Sequence, residues 1–304
     1  MSAERMSAER MLAEQISAER IEQALQAAIA TVAVPSCPPR LLAAMHHAVF
    51  PAGARVRPRL TLAVAAACGE ADPSVTDAAA CAVEFMHCAS LVHDDLPCFD
   101  DADTRRGVTT VHKMFGEPLA VLAGDALILL AFQTLGLLAE APQKLALLLM
   151  TLSRAVGAPA GIIAGQAWEC EPHIDLRHYH RAKTGALFGA AAIAGAAAAG
   201  AEAEPWRVLG ETLGEAYQAA DDIRDSCATA AELGKPSGRD SALGRPNAVA
   251  ELGLRGAVAR LEGLIEEAIA SIPPCSGASH LKALISSESK RLMPQSLAAF
   301  SAAA

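Results

Sequence analysis

Aromatic residues are scarce in this chain, at 4%, and positive charge is outweighed, with 25 lysines and arginines against 34 aspartates and glutamates. Nucleic-acid binding needs a basic face for phosphates and rings on which bases stack. A nucleic-acid partner is therefore not expected. Clustered metal-binding sulfur is missing as well. The cysteines at 37, 68, 81, 88, 98, 170, 227 and 275 include no CxxC pair and no His/Cys spacing typical of zinc. They read as free thiols of a reducing, cytoplasmic compartment. The opening MSAERMSAERMLAEQISAER interleaves acids with bases and lacks the apolar core of a secretory signal, so no export signal is read here. No run supplies the roughly 20 strongly apolar residues of a membrane span. Ala186 to Ala201 is mostly alanine and glycine, and Asp125 and Gln133 interrupt the stretch from Pro118 to Ala139. No membrane span is expected, and the alanine-glycine run reads as a tightly packed core helix.

Apolar residues are abundant, at 52% of the chain, with alanine and leucine dominant. From Arg20 onward they recur at helical spacing. Breaks fall near Pro35–Pro39, Pro51–Gly53, Gly69–Pro73, Pro142, Gly157–Pro159, Pro172, Pro205, Gly234–Gly238 and Pro273–Pro274. The segments between them are of helical length, and none is bounded by hairpin chemistry. The expectation is an all-α chain, a single-domain bundle of ten or more helices over residues 20–304. The SAER unit repeated at Ser2, Ser7 and Ser17 is too short for a solenoid, so residues 1–19 read as a charged tail or frayed helix.

Two acidic clusters interrupt this apolar background. In the segment HCASLVHDDLPCFDDADTRRG, Asp94, Asp95, Asp100, Asp101 and Asp103 fall within ten positions. Carboxylates this close repel one another unless a cation neutralises them. Oxygen ligands suit Mg²⁺, which binds through one or two carboxylates plus substrate phosphates. On a regular helix Asp94 and Asp100 point to different sides, so sharing an ion requires a local bulge, for which Pro97 supplies a reason. A solvated acidic helix end is the plain alternative. Against it stand Arg105 and Arg106, bidentate donors suited to diphosphate oxygens, and a second cluster 127 residues on.

In that second cluster, Asp221 and Asp225 are spaced i, i+4 and share a helical face, with Asp222 beside them. Alone, DDxxD is weak. Two acidic clusters set in apolar helices suggest facing walls of one cavity. Lys183-Thr184, at the entrance to the alanine-glycine helix, and Lys235, in a glycine-bounded loop, complete a plausible phosphate cage.

These residues resemble the trans-isoprenyl diphosphate synthases, the farnesyl and geranylgeranyl diphosphate synthase family, over about Arg20 to Leu292. The first motif is similar to the bacterial form DDxxxxD-x₄-RRG. HCASLVHDDLPCFDDADTRRG, GQAWECE and HRAKTGALF most resemble carotenoid-pathway enzymes of purple phototrophic bacteria. The resemblance implies an isoprenoid synthase fold around a central cavity, three Mg²⁺ ions and a homodimer. It implies that Asp94 and Asp100 bind two ions and Asp221 a third, supported by Asp95, Asp101, Asp222 and Asp225. Arg105, Lys183, Thr184, Gln218 and Lys235 would hold an allylic diphosphate (dimethylallyl, geranyl or farnesyl). Arg57, His87 and Arg106 would receive isopentenyl diphosphate. His87 lies seven positions before Asp94 and so shares its helical face.

The chain departs from the family at three points. Where the family reads Gly-Gly-Lys-Arg-x-Arg-Pro, this chain has Ala54 for the lysine, a lost ligand unless Arg55 or Arg57 compensates. Glu169 replaces the usual aspartate, and Arg245 stands near a frequent lysine. Product length is expected to depend on the helix before Asp94. Ala89, about 7.5 Å back along the axis, stands where farnesyl-producing bacterial relatives carry a ring, and Met86 lies one turn deeper as part of a floor. The expected product is C20, geranylgeranyl diphosphate, with farnesyl diphosphate as the alternative. A terpene cyclase is disfavoured by the second DDxxD and the few rings. A catalytically silent partner subunit has only Ala54 in its favour. The dipeptide His93-Asp94 also occurs in metal phosphohydrolases, but that reading leaves the second cluster unexplained.

Overall fold

A computed structural model describes residues 3–50, 53–138, 141–173, 176–227 and 248–292. Thirteen α-helices are present among these residues, so the expectation of an all-helical chain with ten or more helices holds. They are α1 (Ala3–Ala30), α2 (Pro39–Val49), α3 (Val56–Ala67), α4 (Pro73–Asp94), α5 (Val111–Phe115), α6 (Glu117–Gly136) and α7 (Pro142–Val156). After these come α8 (Ile162–Ala167), α9 (Leu176–His180), α10 (Ala186–Ala199), α11 (Arg207–Cys227), α12 (Ala248–Ala270) and α13 (Ala278–Leu292). A π-helical turn, Arg181–Gly185, joins α9 to α10.

Most of the proline and glycine breaks fall between helices. Asp72 shows how one start is made: its side chain accepts from the Ser74 N–H at 3.0 Å, and Pro73 occupies the first helical position, where a missing N–H costs nothing. The break near Gly234–Gly238 lies outside the described residues. One expectation is corrected. Thr104–Arg105 and Val108–Thr109 pair as a small antiparallel hairpin, with Arg106 (φ 53°) and Gly107 (φ 78°) as its two-residue turn. Positive φ at both central residues matches the right-handed twist of paired strands. Strands two residues long leave no alternation to read.

The helices group into two compact units. The first comprises residues 1–102, 110–150 and 194–202. In it α4 packs along α6 and α3, burying Phe85, Met86, Leu127, Leu130 and Leu135, each worth roughly 1.5–3 kcal/mol on removal from water. The second comprises residues 103–109, 151–193 and 203–304, with α11 against α12 and the π-helical turn against α8 and α11. Its core includes Leu187, Phe188, Ile193 and Leu209. Leu187 to Ala198 is buried almost without interruption, as expected of the alanine-glycine run. Among the described residues, three helices, Pro73–Asp94, Glu117–Gly136 and His178–Ala199, are long and apolar enough to cross a membrane, but 72%, 44% and 83% of their apolar windows are buried inside the protein.

A polar hub fastens α1 within the first unit. Arg20 donates to both carboxylate oxygens of Glu70, at 2.7 and 3.1 Å, and to Asp77 at 2.6 Å. The two acids shift in opposite directions. The hydrogen bonds from Arg20 hold Glu70 below its ordinary value, whereas burial pushes Asp77 up despite the same arginine. A lowered folded-state pKa gives stability that is present above the unfolded value and lost as pH falls through the folded one. Glu70→Gln is therefore expected to cost about 1 kcal/mol at neutral pH, a deficit that closes below about pH 4. Thermal melts across that range check it, and a deficit independent of pH refutes it.

Candidate active site

The first aspartate cluster sits where α4 ends. Its geometry corrects the bulge expected at Pro97: the helix stops at Asp94, and residues 95–101 fold back as successive turns. The Asp100 N–H donates to the Asp94 carbonyl at 2.9 Å, the Asp101 N–H to Leu96 at 3.0 Å and the Ala102 N–H to Asp95 at 3.2 Å. The turn thus brings the backbones of Asp94 and Asp100 together without continuing the helix. Asp94 and Asp100 are partly exposed, while Asp95 is buried. Asp101 adopts a left-handed backbone (φ 43°). Its carboxylate lies 3.2 Å from Lys113 Nζ and 3.7 Å from Nε2 of the buried His112, both on α5. Neither residue was found by reading the motif. Their only signal was a pair of basic residues after the hairpin.

Upstream on α4, His87 Nε2 lies 3.4 Å from Arg57 Nη1 of α3. A guanidinium only donates, so the ring nitrogen accepts in this contact. Ala89 and Met86 are buried on the same helix, as is Phe85, four positions before Ala89 and hence on its face. Arg55 cannot replace the lysine missing at Ala54. Its side chain is only 4% exposed and donates to Glu22, Glu84 and the Val49 carbonyl. Burial alone pulls its pKa down, but the Glu22 hydrogen bond and the charge of Glu84 outweigh this and hold it above the ordinary value.

The second unit assembles the other candidate residues. Thr184 Oγ1 donates to Gln218 Oε1 at 3.1 Å, and Gln218 Nε2 donates to Asp222 Oδ1 at 3.0 Å. Asp222 Oδ2 accepts the Ala248 N–H at 2.9 Å. Asp222 is buried, and that burial raises its pKa against the opposing hydrogen bonds from Ala248 and Gln218. Asp221 and Asp225 share the α11 face that their i, i+4 spacing dictates, and Asp221 pairs with Arg224 at 3.3 Å. In the Asp94-Asp95 and Asp221-Asp222 pairs the second aspartate is therefore turned into the protein while the first is more accessible, whereas in Asp100-Asp101 the second is the more exposed.

Lys183 and Thr184 lie on the π-helical turn, a deviation that often marks functional sites. Gly165 makes close packing there possible: a Cβ on it would come within 2.4 Å of the Lys183 nitrogen. Lys183 Nζ pairs with Glu169, which also accepts the Tyr179 hydroxyl at 2.7 Å and Gln166 Nε2 at 3.0 Å. Glu169 fixes the direction in which the ammonium points. Arg105 lies on the first strand of the hairpin and Arg106 in its turn. Lys235 and Arg245 lie outside the described residues.

Among the described residues, no three His, Cys, Asp or Glu side chains converge on a metal position. Mg²⁺ does not require such a set, since one or two carboxylates and substrate phosphates hold it. The half-accessible aspartates of each cluster fit that demand.

Residues 38–279 match the family model described as polyprenyl synthetase. The chain belongs to the polyprenyl synthetase family. Among its relatives, the chain is 52% identical to geranylgeranyl diphosphate synthase of Cereibacter sphaeroides, over 92% of this chain and 97% of that protein. It is 51% identical to the enzyme of the same name from Rhodobacter capsulatus, over 90% and 95%. Among solved structures it is similar to geranyltransferase of Helicobacter pylori, complexed with magnesium and isoprenyl diphosphate. That match has a TM-score of 0.78 and 29% identity, covering 90% of this chain and 96% of that one. The resemblance to purple-bacterial enzymes seen in the motifs is thus borne out.

Proposed function

We infer that the chain is a geranylgeranyl diphosphate synthase, a prenyltransferase that condenses isopentenyl diphosphate with allylic diphosphates to a C20 product. The observation that carries this is its match, at half identity and nearly full length, to two bacterial enzymes of that name. Both aspartate clusters are intact.

In this reading Asp94 and Asp100 hold two Mg²⁺ ions and Asp221 a third, with Asp95, Asp101, Asp222 and Asp225 supporting them. When bound, the metal neutralises the charge that gathers on the departing diphosphate. Lys183, Thr184, Gln218, Arg105 and Lys235 hold the allylic diphosphate. The Glu169 and Asp222 hydrogen bonds support this by keeping Lys183 and Gln218 in fixed directions. Arg57, His87 and Arg106 receive isopentenyl diphosphate; the allylic C–O bond ionises, its electron pair leaving with the diphosphate, and the isopentenyl double bond attacks the allylic carbocation. A proton then leaves to the released diphosphate, and a longer allylic diphosphate remains. Ala89 leaves room for the growing tail, with Met86 and Phe85 beneath it.

The synthase domain is assigned to residues 20–304, with 1–19 outside it, and the enzyme acts in the cytoplasm as a homodimer. Exposed Val121, Leu122 and Leu129 on α6 supply an apolar face for that association. Incubation with isopentenyl diphosphate and dimethylallyl, geranyl or farnesyl diphosphate is expected to yield C20 chains. The activity is expected to be lost on chelation and restored by Mg²⁺. Accumulation of C15 product refutes the chain length, and cyclic hydrocarbon made from farnesyl diphosphate alone refutes the class.

A further inference from the structure

One guanidinium ties together the region around Arg57 and His87. Arg55 caps the start of α3 in a left-handed conformation (φ 48°, ψ 37°), a backbone state that side chains disfavour. Its Nε and Nη2 reach the two carboxylate oxygens of Glu22 on α1, at 2.7 and 3.3 Å. Its Nη1 donates to Glu84 on α4 at 2.7 Å, and Nη2 also donates to the Val49 carbonyl at the end of α2, at 2.8 Å. Glu84 is 1% exposed and also accepts from Cys88 Sγ. Four helices therefore converge on one side chain within the first unit.

Stability alone is a poor reason for such a device. A buried ion pair loses most of its attraction to desolvation and is often replaceable by apolar side chains. What it does supply is register. Arg57 follows Arg55 by two residues, and His87 follows Glu84 by three on the same face of α4. Both members of the 3.4 Å Arg57···His87 contact are thus held from the same ion cluster. Backbone strain beside a candidate ligand, over-determined by its surroundings, is the pattern expected where geometry serves function.

We propose that Arg55, locked by Glu22 and Glu84, is a positioning residue for isopentenyl diphosphate, fixing Arg57 and His87 in their receiving geometry. The inference rests on the prenyltransferase reading above. It also accounts for Ala54: with the usual lysine absent, capture of this diphosphate depends on how accurately the remaining pair is held.

Steady-state kinetics of Arg55→Lys, which keeps the charge but loses the planar fork, tests this against the wild type. The expected result is a KM for isopentenyl diphosphate raised about tenfold, with kcat and the KM for the allylic diphosphate within about twofold. Glu22→Gln, at a partly exposed partner, is the milder arm in case Arg55→Lys does not fold, and is expected to raise the same KM about threefold. A KM for isopentenyl diphosphate within twofold of wild type in every variant that folds overturns the proposal. So does an equal rise for both substrates, which marks general loosening. A wild-type protein that forms no prenyl product removes the underlying reading instead.

Discussion

Asp94→Asn is expected to lower kcat about a thousandfold while the protein stays folded. The magnitude is that of losing a group which stabilises charge as it develops at a reacting centre. Asparagine keeps the shape and one oxygen but not the charge that attracts a divalent cation. The turn itself should survive, because Asp100 donates to the backbone carbonyl of Asp94 and not to its carboxylate. Removing one of several crowded acids also relieves repulsion, so stability is expected to change by less than about 0.5 kcal/mol. Single-turnover kinetics over a Mg²⁺ titration, paired with thermal melts, measures both quantities. Activity within tenfold of wild type at saturating Mg²⁺ would remove Asp94 from the metal site.

Ala89→Tyr is expected to shift the product from C20 to C15. Ala89 is buried on α4, five residues before Asp94 and about 7.5 Å along the axis from it. A ring there fills space that the tail would need after the farnesyl stage. If that space exists, the ring occupies it at little cost to folding. If it does not, the ring overpacks the core and costs roughly 1–3 kcal/mol. Product analysis with a parallel melt separates the two cases. A folded variant that still makes only C20 chains sinks the gating role of Ala89. The same experiment at Met86, one turn deeper, should leave C15 formation intact, because the floor lies below the farnesyl tail.

Much of the helical layout was legible in advance. Pro73 behind the Asp72 cap, Pro39 at the start of α2 and Pro142 at the start of α7 mark boundaries through local backbone chemistry alone. The DDxxD cluster was equally legible, since i, i+4 spacing fixes a shared face before any packing occurs. The first cluster was only half legible. Its residues were identified, but Pro97 suggested a bulged helix, whereas the chain closes turns from Asp100 to Asp94 and from Asp101 to Leu96. The hairpin was missed because Arg106 carries a positive φ that an arginine does not advertise, unlike the Asn-Gly pairs that usually signal such turns.

By itself the sequence determined where helices start and stop, which carboxylates are neighbours and which family the chain resembles, because these depend on contacts within a few residues. Only the tertiary structure decided what each charged side chain is for. Arg55 looked like a spare cation for diphosphate until packing brought Glu84, 29 residues away, and Glu22, 33 residues away, onto its guanidinium. Lys183 acquired Glu169 and Tyr179 because Gly165 lets α8 approach the π-helical turn, and Asp101 acquired Lys113 through the placement of α5. A buried charge must find a partner wherever the fold places one, and that choice is made between helices, beyond the reach of spacing along any single one.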